Sequence, residues 1–167
     1  MTTPCPPQFF EIMSCNEIIL EDIVQVEVYT SDQISIPVPP NVNCESFQEK
    51  NKFLTPLLKL ALSYNSEVEM TDPATLKITT ARQAAGLIYT HDLSIPVVND
   101  RSKVRPYVNR LQGRDFHVIC QHADGSRTFS YGLHNTTTAD IDETMANNHT
   151  TNFKLKLLSV SGIITLT

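Results

Sequence analysis

The chain has 167 residues, of which 41% are hydrophobic and 19% are charged. This composition is typical of a globular domain and not of a disordered chain. No apolar run approaches the roughly 20 residues that span a bilayer, and the N-terminal segment lacks the basic and apolar regions of a signal peptide. We therefore expect one domain over residues 1–167, no membrane partner, and cysteines that stay reduced because there is no export signal. No two cysteines have the spacing of a zinc knuckle or a redox dithiol.

The net charge of −5 hides an asymmetry along the chain. Residues 1–49 contain eight acidic residues and neither Lys nor Arg, whereas residues 50–167 contain ten acidic and thirteen basic residues. Five of the bases are clustered, namely Arg101, Lys103, Arg105, Arg110 and Arg114. An acidic segment and a basic cluster favour head-to-tail contact between copies, with Glu21 and Asp22 as candidate partners of the cluster. In the alternative interpretation, both are solvated faces that never meet.

Alternating apolar and polar residues predict a mainly β protein. Residues 24–28 alternate in this way near the start of the chain. The strongest pattern places six side chains on one face of a strand, namely Leu87, Tyr89, His91, Leu93, Ile95 and Val97. Near the C-terminus, Phe153, Leu155 and Leu157 alternate with lysines, and the phase then slips by one residue before Ile164. The slip predicts a bulge, or a strand that moves to another sheet.

Two hairpins are predicted. Residues 68–70 and 76–78 flank the turn-forming segment Thr71-Asp-Pro. Residues 116–133 surround Asp124-Gly125, the preferred two-residue type I′ loop. Pairing outward from this loop places three pairs of residues opposite one another: Cys120 and Phe129, Val118 and Tyr131, Phe116 and Leu133. One face of this second hairpin would then be apolar throughout and buried.

Between Asp100 and Gly113 the apolar spacing becomes that of a helix. The stripe consists of Val104, Tyr107, Val108 and Leu111. Pro106 suits the first turn and Gly113 the position after the last turn, so the basic cluster would decorate a short exposed helix. Residues 45–64 fit a second helix and a strand equally well. Residues 134–152 are polar and without pattern, and predict a long loop or an arm that contacts another subunit.

These elements predict an antiparallel β-sandwich or a partly closed barrel with one or two short helices. The sequence has no glycine-rich phosphate loop, no nucleophile elbow and no HExxH motif. His117 and His122 are expected on opposite faces of one strand, where they cannot share a metal. We expect His91 in the core, His122 in a turn, and Cys120 as a buried, inert thiol. No catalytic activity, cofactor, metal or sequence-specific nucleic acid is therefore predicted.

The order of the elements, and three segments, resemble tail-tube, tail-terminator and head–tail connector proteins of tailed bacteriophages. The segments are residues 86–97, residues 113–125 with their Ala-Asp-Gly turn, and Tyr131-Gly132. The resemblance implies a homo-oligomeric ring in the tail or neck of a virion, assembled in the host cytoplasm. Its partners would be copies of the chain and other tail or neck proteins. The alternative is a β-sandwich module that binds a carbohydrate or protein on a cell surface, and an enzyme comes third.

Overall fold

A computed structural model of the protein describes residues 17–34, 46–47, 55–62, 68–84, 86–98, 101–144, 150–159 and 164–166. The strands are β1 (Glu17–Thr30), β2 (Ser46–Phe47), β3 (Leu58–Ala61), β4 (Val68–Glu69), β5 (Ala74–Gln83), β6 (Gly86–Val97), β7 (Phe116–His122), β8 (Arg127–Ser130), β9 (Thr138–Thr144), β10 (Thr150–Ser159) and β11 (Ile164–Leu166). Within these ranges the chain has one α-helix, α1 (Arg101–Leu111), and a short 3₁₀ helix at Ser31–Gln33.

The strands form one curled, mixed sheet that makes a half-barrel. Its order is β2–β11–β8–β7–β1–β5–β6–β10–β9, and β3 pairs with β1 and β4 to one side of this path. The β2–β11 and β3–β4 pairs are parallel, and the other neighbouring strands are antiparallel. The predicted mainly β fold with a partly closed barrel and a short helix is therefore confirmed.

Two hydrogen bonds show how strongly the sheet curls. His91 on β6 and Ser130 on β8 are separated by three strands along the sheet, yet His91 Nδ1 and Ser130 Oγ are 2.8 Å apart. Just after β8, the Leu133 N–H donates to the Leu158 carbonyl of β10 at 2.9 Å. Because a flat sheet would hold these strands well apart, both bonds require the sheet to bend round the interior.

Strand β1 lies at the centre of the sheet and pairs with three others. Its first half pairs with β5, its second half with β3, and its other side with β7. Leu20 lies opposite Leu76, whereas Ile23 lies opposite Ala74, so β1 contains one extra residue. This bulge bends the strand and exposes residues 21 and 22. β3 then fills the gap where β1 and β4 diverge.

The predicted hairpin over residues 68–78 is wrong. Met70 lies opposite Val97 and Thr75 lies opposite Ser94, so both segments run in the same direction along β6. The segment Thr71-Asp-Pro does not reverse the chain. It is an irregular step between two extended segments that continue in the same direction beside β6. Turn-forming residues also suit such a step, because Pro73 has no N–H to donate to a ladder.

The hairpin over residues 116–133 forms, as β7 and β8, but its predicted register is wrong by one residue. Ile119 lies opposite Phe129, and Cys120 lies opposite Thr128. Since successive side chains of a strand point to opposite faces, this shift separates Phe129 from Cys120. The predicted single apolar face is therefore two faces, each buried by a different cluster of side chains.

The register follows from the length of the loop. The Gly125 N–H donates to the His122 carbonyl at 3.0 Å, and Gly125 has a φ of +89°. The Asp124 carboxylate accepts the Ser126 N–H at 2.9 Å. A type I turn followed by a left-handed glycine is the common three-residue hairpin loop, which competes with the two-residue loop for the same Asp-Gly sequence.

The larger hydrophobic cluster fills the half-barrel, and the smaller one lies on the opposite face of β7 and β8. The smaller cluster comprises Tyr29, Ile119, Phe129, Tyr131 and Ile164. As predicted, Tyr89 to Val97 alternate inward along β6, and Phe153, Leu155 and Leu157 point inward from β10. Leu87 is 47% exposed, in contrast to the prediction for the start of β6. After the predicted phase slip, the C-terminal strand β11 does not continue beside β10 but pairs with β8 and β2 in another part of the same sheet.

Helix α1 confirms the predicted helix over residues 101–111. Val108 and Leu111 are buried, and Gly113 has a φ of +76° after the last turn. Pro106 lies inside the helix, beyond the predicted first turn, and is exposed there. Within residues 45–64, the strand alternative is the correct one for Leu58–Ala61. No helix in the described ranges is long and apolar enough to cross a bilayer.

The predicted loop over residues 134–152 contains β9 and the first residues of β10. β9 pairs with β10 over seven residues, from Thr138 opposite Lys156 to Thr144 opposite Thr150. Ala139 is buried and Ile141 is half-buried in the larger cluster. Only two residues of β9 are apolar, which favours a loop, although its β-branched threonines suit an edge strand.

Replacing Phe129 with Ala is expected to lower the free energy of unfolding by about 3–5 kcal/mol, because it removes a buried ring from the smaller cluster. Urea unfolding followed by circular dichroism measures this change. Leu87→Ala is the control, and it should change stability by no more than about 0.5 kcal/mol because Leu87 is 47% exposed. Equal effects of the two substitutions would contradict the burial of Phe129 in the smaller cluster.

Candidate functional site

Helix α1 presents its basic side chains to solvent. Arg105 and Arg110 are exposed, as is Arg114 just beyond the helix. The Arg110 guanidinium lies 5.6 Å from the centre of the Tyr107 ring, a cation–π contact that orients the side chain. The side chains of Arg101 and Lys103 lie outside the described part of the molecule. The exposed bases therefore form a surface that we call the basic helix face (Arg105, Arg110 and Arg114).

The basic helix face lies next to one end of the sheet. α1 contacts β9, and Thr137 donates its hydroxyl hydrogen to the Arg114 carbonyl at 2.7 Å. Within the described residues, β9 pairs with β10 alone. The Ile141 N–H of β9 donates to the Asp140 carboxylate at 2.8 Å, so this donor has a partner within its own strand. A strand edge that pairs with no further strand among the described residues and a set of exposed cations therefore share one end of the subunit.

The opposite end of the sheet is formed by β2. This two-residue strand pairs with β11 in parallel, and β11 is its only partner among the described residues. β2 belongs to the acidic segment, with Glu45 just before it in the sequence and Glu49 two residues after it. One end of the sheet therefore belongs to the acidic segment, and the other lies beside the basic helix face, although β9 itself contains Asp140, Asp142 and Glu143.

Strand β1 brings several acids of the N-terminal segment to cations of their own chain. Glu17 lies 3.4 Å from the Lys77 ammonium, and Glu27 lies 2.8 Å from the Arg127 guanidinium. The hydroxyl of Thr30 donates a hydrogen bond to Asp32. That bond, and to a smaller extent the charge of Arg114, lowers the pKa of Asp32. The charge asymmetry of the sequence is thus partly cancelled inside the subunit.

The predicted partners Glu21 and Asp22 do not lie near the basic helix face. They occupy the bulge of β1 near the Ile23–His122 pair, whereas Arg114 comes just before Phe116, which pairs with Thr30 at the other end of β1. The Asp22 carboxylate bonds His122, with Oδ1 and Nδ1 2.8 Å apart. Asp22 therefore has a partner in its own chain, whereas Glu21 is exposed on the outer face.

The prediction that His122 belongs to the turn is wrong, because His122 is buried. Its Nδ1 bonds Asp22, and its Nε2 lies 2.9 Å from the Thr128 hydroxyl. The Asp22 carbonyl also accepts the Ala123 N–H at 2.9 Å. A carboxylate, an imidazole and a hydroxyl in this order can activate a nucleophile. Here the same bonds join β1, β7 and β8, and we interpret them as the contact that holds the hairpin on the bulge of β1.

His117 is buried on the opposite face of β7 and stacks on Tyr131, with ring centres 4.2 Å apart. Its Nδ1 accepts the Gly132 N–H at 3.0 Å, and its Nε2 lies 3.1 Å from the Ser31 hydroxyl. An acceptor at Nδ1 requires the neutral ring. Burial lowers the pKa of His117 to about 4, although the charge of Asp115 opposes this change.

Cys120 is buried, as predicted, and burial raises the pKa of its thiol to about 12. A thiol with this pKa is not a nucleophile near neutral pH. His91 lies in the core, also as predicted, and bonds Ser130. In the described part of the chain, no group of three or more histidine, cysteine, aspartate or glutamate residues is arranged to hold a metal ion.

A groove of about 380 Å³ lies on the outer face of β5, β6, β10 and β9. Its charged lining residues are Lys77, Asp92, Asp140, Lys154 and Lys156. Sequence reasoning did not single out these residues. Alternation alone places them on the outward face of their strands, but only the strand order places them together.

Comparisons with protein-family models, with curated proteins and with solved structures found no match.

The burial of neutral His117 predicts that stability falls in acid. The folded-state pKa of about 4 lies below the ordinary value of 6.5, so the unfolded chain binds this proton first as the pH falls. The contribution is fully present above pH 6.5 and is lost between pH 6.5 and about 4. Over this window it amounts to about 3 kcal/mol.

Urea unfolding of the wild type and of His117→Gln between pH 7 and pH 4.5 measures this contribution. Gln keeps an acceptor for the Gly132 N–H but does not titrate, so the variant should be less stable at pH 7 and should lose less stability in acid. The paired measurement removes the effect of other groups that titrate in the same window. Parallel pH profiles for the two proteins would show that His117 is not the responsible group.

Proposed function

We propose that the protein is a structural subunit of a bacteriophage particle that forms a homo-oligomeric ring in the tail or neck. Its partners are copies of itself and other tail or neck proteins. The resemblance of residues 86–97, 113–125 and 131–132 to virion ring proteins motivates the phage assignment. The geometry of the sheet supports the ring.

The observation that carries the ring is the presence of two unlike ends on one curved sheet. β9 and β2 each pair on one side only, within the described residues. Unpaired strand edges invite pairing with another chain. A contact between the two different ends of neighbouring copies is heterologous, and a heterologous contact generates a ring when the rotation between copies closes.

The charges at the two ends favour the same arrangement. The basic helix face lies beside β9, and β2 belongs to the acidic segment. Opposite charges at the rim of a contact speed encounter and set its register, whereas apolar contacts supply most of the affinity. The acidic partner of the basic helix face is thus proposed to be the β2 end of the next copy, because Asp22 is bonded within its own chain.

Reversing Arg105 and Arg110 to Glu is expected to prevent ring assembly and to leave the subunit folded, because both side chains are exposed. Native mass spectrometry and negative-stain imaging at low salt measure assembly, and circular dichroism checks the fold. Rings of the wild type should form more slowly as salt is raised, because salt screens attraction between exposed charges. Reversing Glu45 and Glu49 to Lys in the same protein should restore part of the assembly.

Single substitutions provide a matched control. Arg105→Glu and Arg82→Glu change the net charge equally, and Arg82 is exposed at the end of β5, away from the basic helix face. Only Arg105→Glu should slow assembly. Assembly of the Arg105→Glu, Arg110→Glu variant at the wild-type rate would reject the electrostatic contact. A wild-type monomer that binds glycans would instead favour the carbohydrate-binding alternative.

A further inference from the structure

The outer face of β1, β5, β6 and β10 carries charges in a regular order. From β1 to β10 the strands present, in turn, negative, positive, negative and positive side chains on this face. The residues are Glu17 and Glu21 on β1, Lys77 on β5, Asp92 on β6, and Lys154 and Lys156 on β10. Read from β10 to β1, the order is positive, negative, positive and negative. A second copy turned about the seam between β5 and β6 therefore places each charge opposite one of the other sign, and the face is complementary to itself.

The register gives the height of each side chain along the strands. Ile19, Lys77, Asp92 and Lys156 share one level, because each is the partner of the next across neighbouring strands. Thr75, Ser94 and Lys154 share the level beside it. Glu21, in the bulge between the Leu20 and Ile23 pairs, lies opposite Thr75 and so belongs to this second level.

We propose that two copies of the protein dock through this outer face, about a two-fold axis that runs along the seam between β5 and β6. Rotation about such an axis keeps the height of every residue, exchanges β5 with β6, and exchanges β1 with β10. Lys77, which lies 3.4 Å from Glu17 of its own chain, then also faces Asp92 of the other copy, and Glu21 faces Lys154, which lies opposite Asp140 within its own sheet. Each contact occurs twice, as an isologous interface requires.

Shape supports the same arrangement. Ile19 is 50% exposed on β1, between the two glutamates. The rotation places it over Lys156 of the other copy, on the wall of the groove of about 380 Å³ described above. Carbon atoms form most of the exposed groove lining, including the stems of the lysines, which bury well against an apolar side chain. Ile19 is therefore the apolar anchor, and the ion pairs surround it.

This inference rests on the proposed role in assembly and adds a contact of a different symmetry. The head-to-tail contact joins subunits within a ring, whereas the two-fold contact joins subunits of two rings back to back. The basic helix face takes no part in the two-fold contact. The two contacts can therefore be removed separately.

Sedimentation velocity at low salt, on the Arg105→Glu, Arg110→Glu protein, tests the two-fold contact without rings. We expect a dimer. Glu21→Lys and Lys154→Glu are then added to this protein one at a time. Each should raise the dissociation constant of the dimer by about tenfold or more, because each places like charges opposite one another twice. An equimolar mixture of these two variants should dimerise as well as the parent, since every Lys then faces a Glu.

Controls of equal charge and exposure lie elsewhere on the molecule. Glu69→Lys and Arg82→Glu should leave the dimer unchanged, because both residues are exposed away from the four-strand face. Ile19→Asp should weaken the dimer, whereas Leu87→Asp, at a site of similar exposure, should not. A mixture no stronger than either single variant, or a monomer at every concentration, would overturn the proposal. Dimers without rings in the wild type would overturn only the ring.

Discussion

The pairing of strand β1 is the constraint on which the rest of the structure depends. Its backbone bonds β5 and then β3 on one side, and β7 on the other, so it joins the early, middle and late parts of the chain. The extra residue in its bulge bends the sheet and turns Asp22 toward the hairpin of β7 and β8. The curvature, the interior of the half-barrel and the separation of the two sheet ends all follow from this bent central strand.

The position of β1 also explains why charge along the sequence differs from charge in space. Because the acidic segment supplies the central strand, its carboxylates meet cations from strands on both sides, such as Lys77 and Arg127. The partly buried Glu27–Arg127 pair lies inside one subunit and is unsuited to contact between copies. Contact between copies is more readily made by the exposed charges at the sheet ends and on the outer face, because those that have a partner in their own chain, such as Lys77, are screened by solvent and can rearrange.

The elements that the sequence predicts well are those whose apolar residues all fall on one face of the strand or helix. β6 alternates over its inward positions from Tyr89, and α1 has a single apolar stripe ending at Leu111. β7 was placed in the wrong register because residues 116–120 are buried on both faces, which leaves alternation without a phase. β9 was missed because an edge strand needs few apolar residues. The groove was missed because neighbours across a sheet depend on strand order, which a local pattern does not contain.

The pairing of β1 with β7 also bears on the order of events during synthesis. Thr30 must find Phe116, which leaves the ribosome only after the intervening residues, so the contacts with β7 on one side of β1 form after those with β3 and β5 on the other. Until then the edge of β1 that pairs with β7 is open and its inward side chains, such as Val26 and Val28, are incompletely covered, which favours association with other chains. The pairing of β1 with β7 therefore cannot form in step with synthesis, and we expect the yield in the cell to depend on keeping the nascent chain isolated until β7 has emerged.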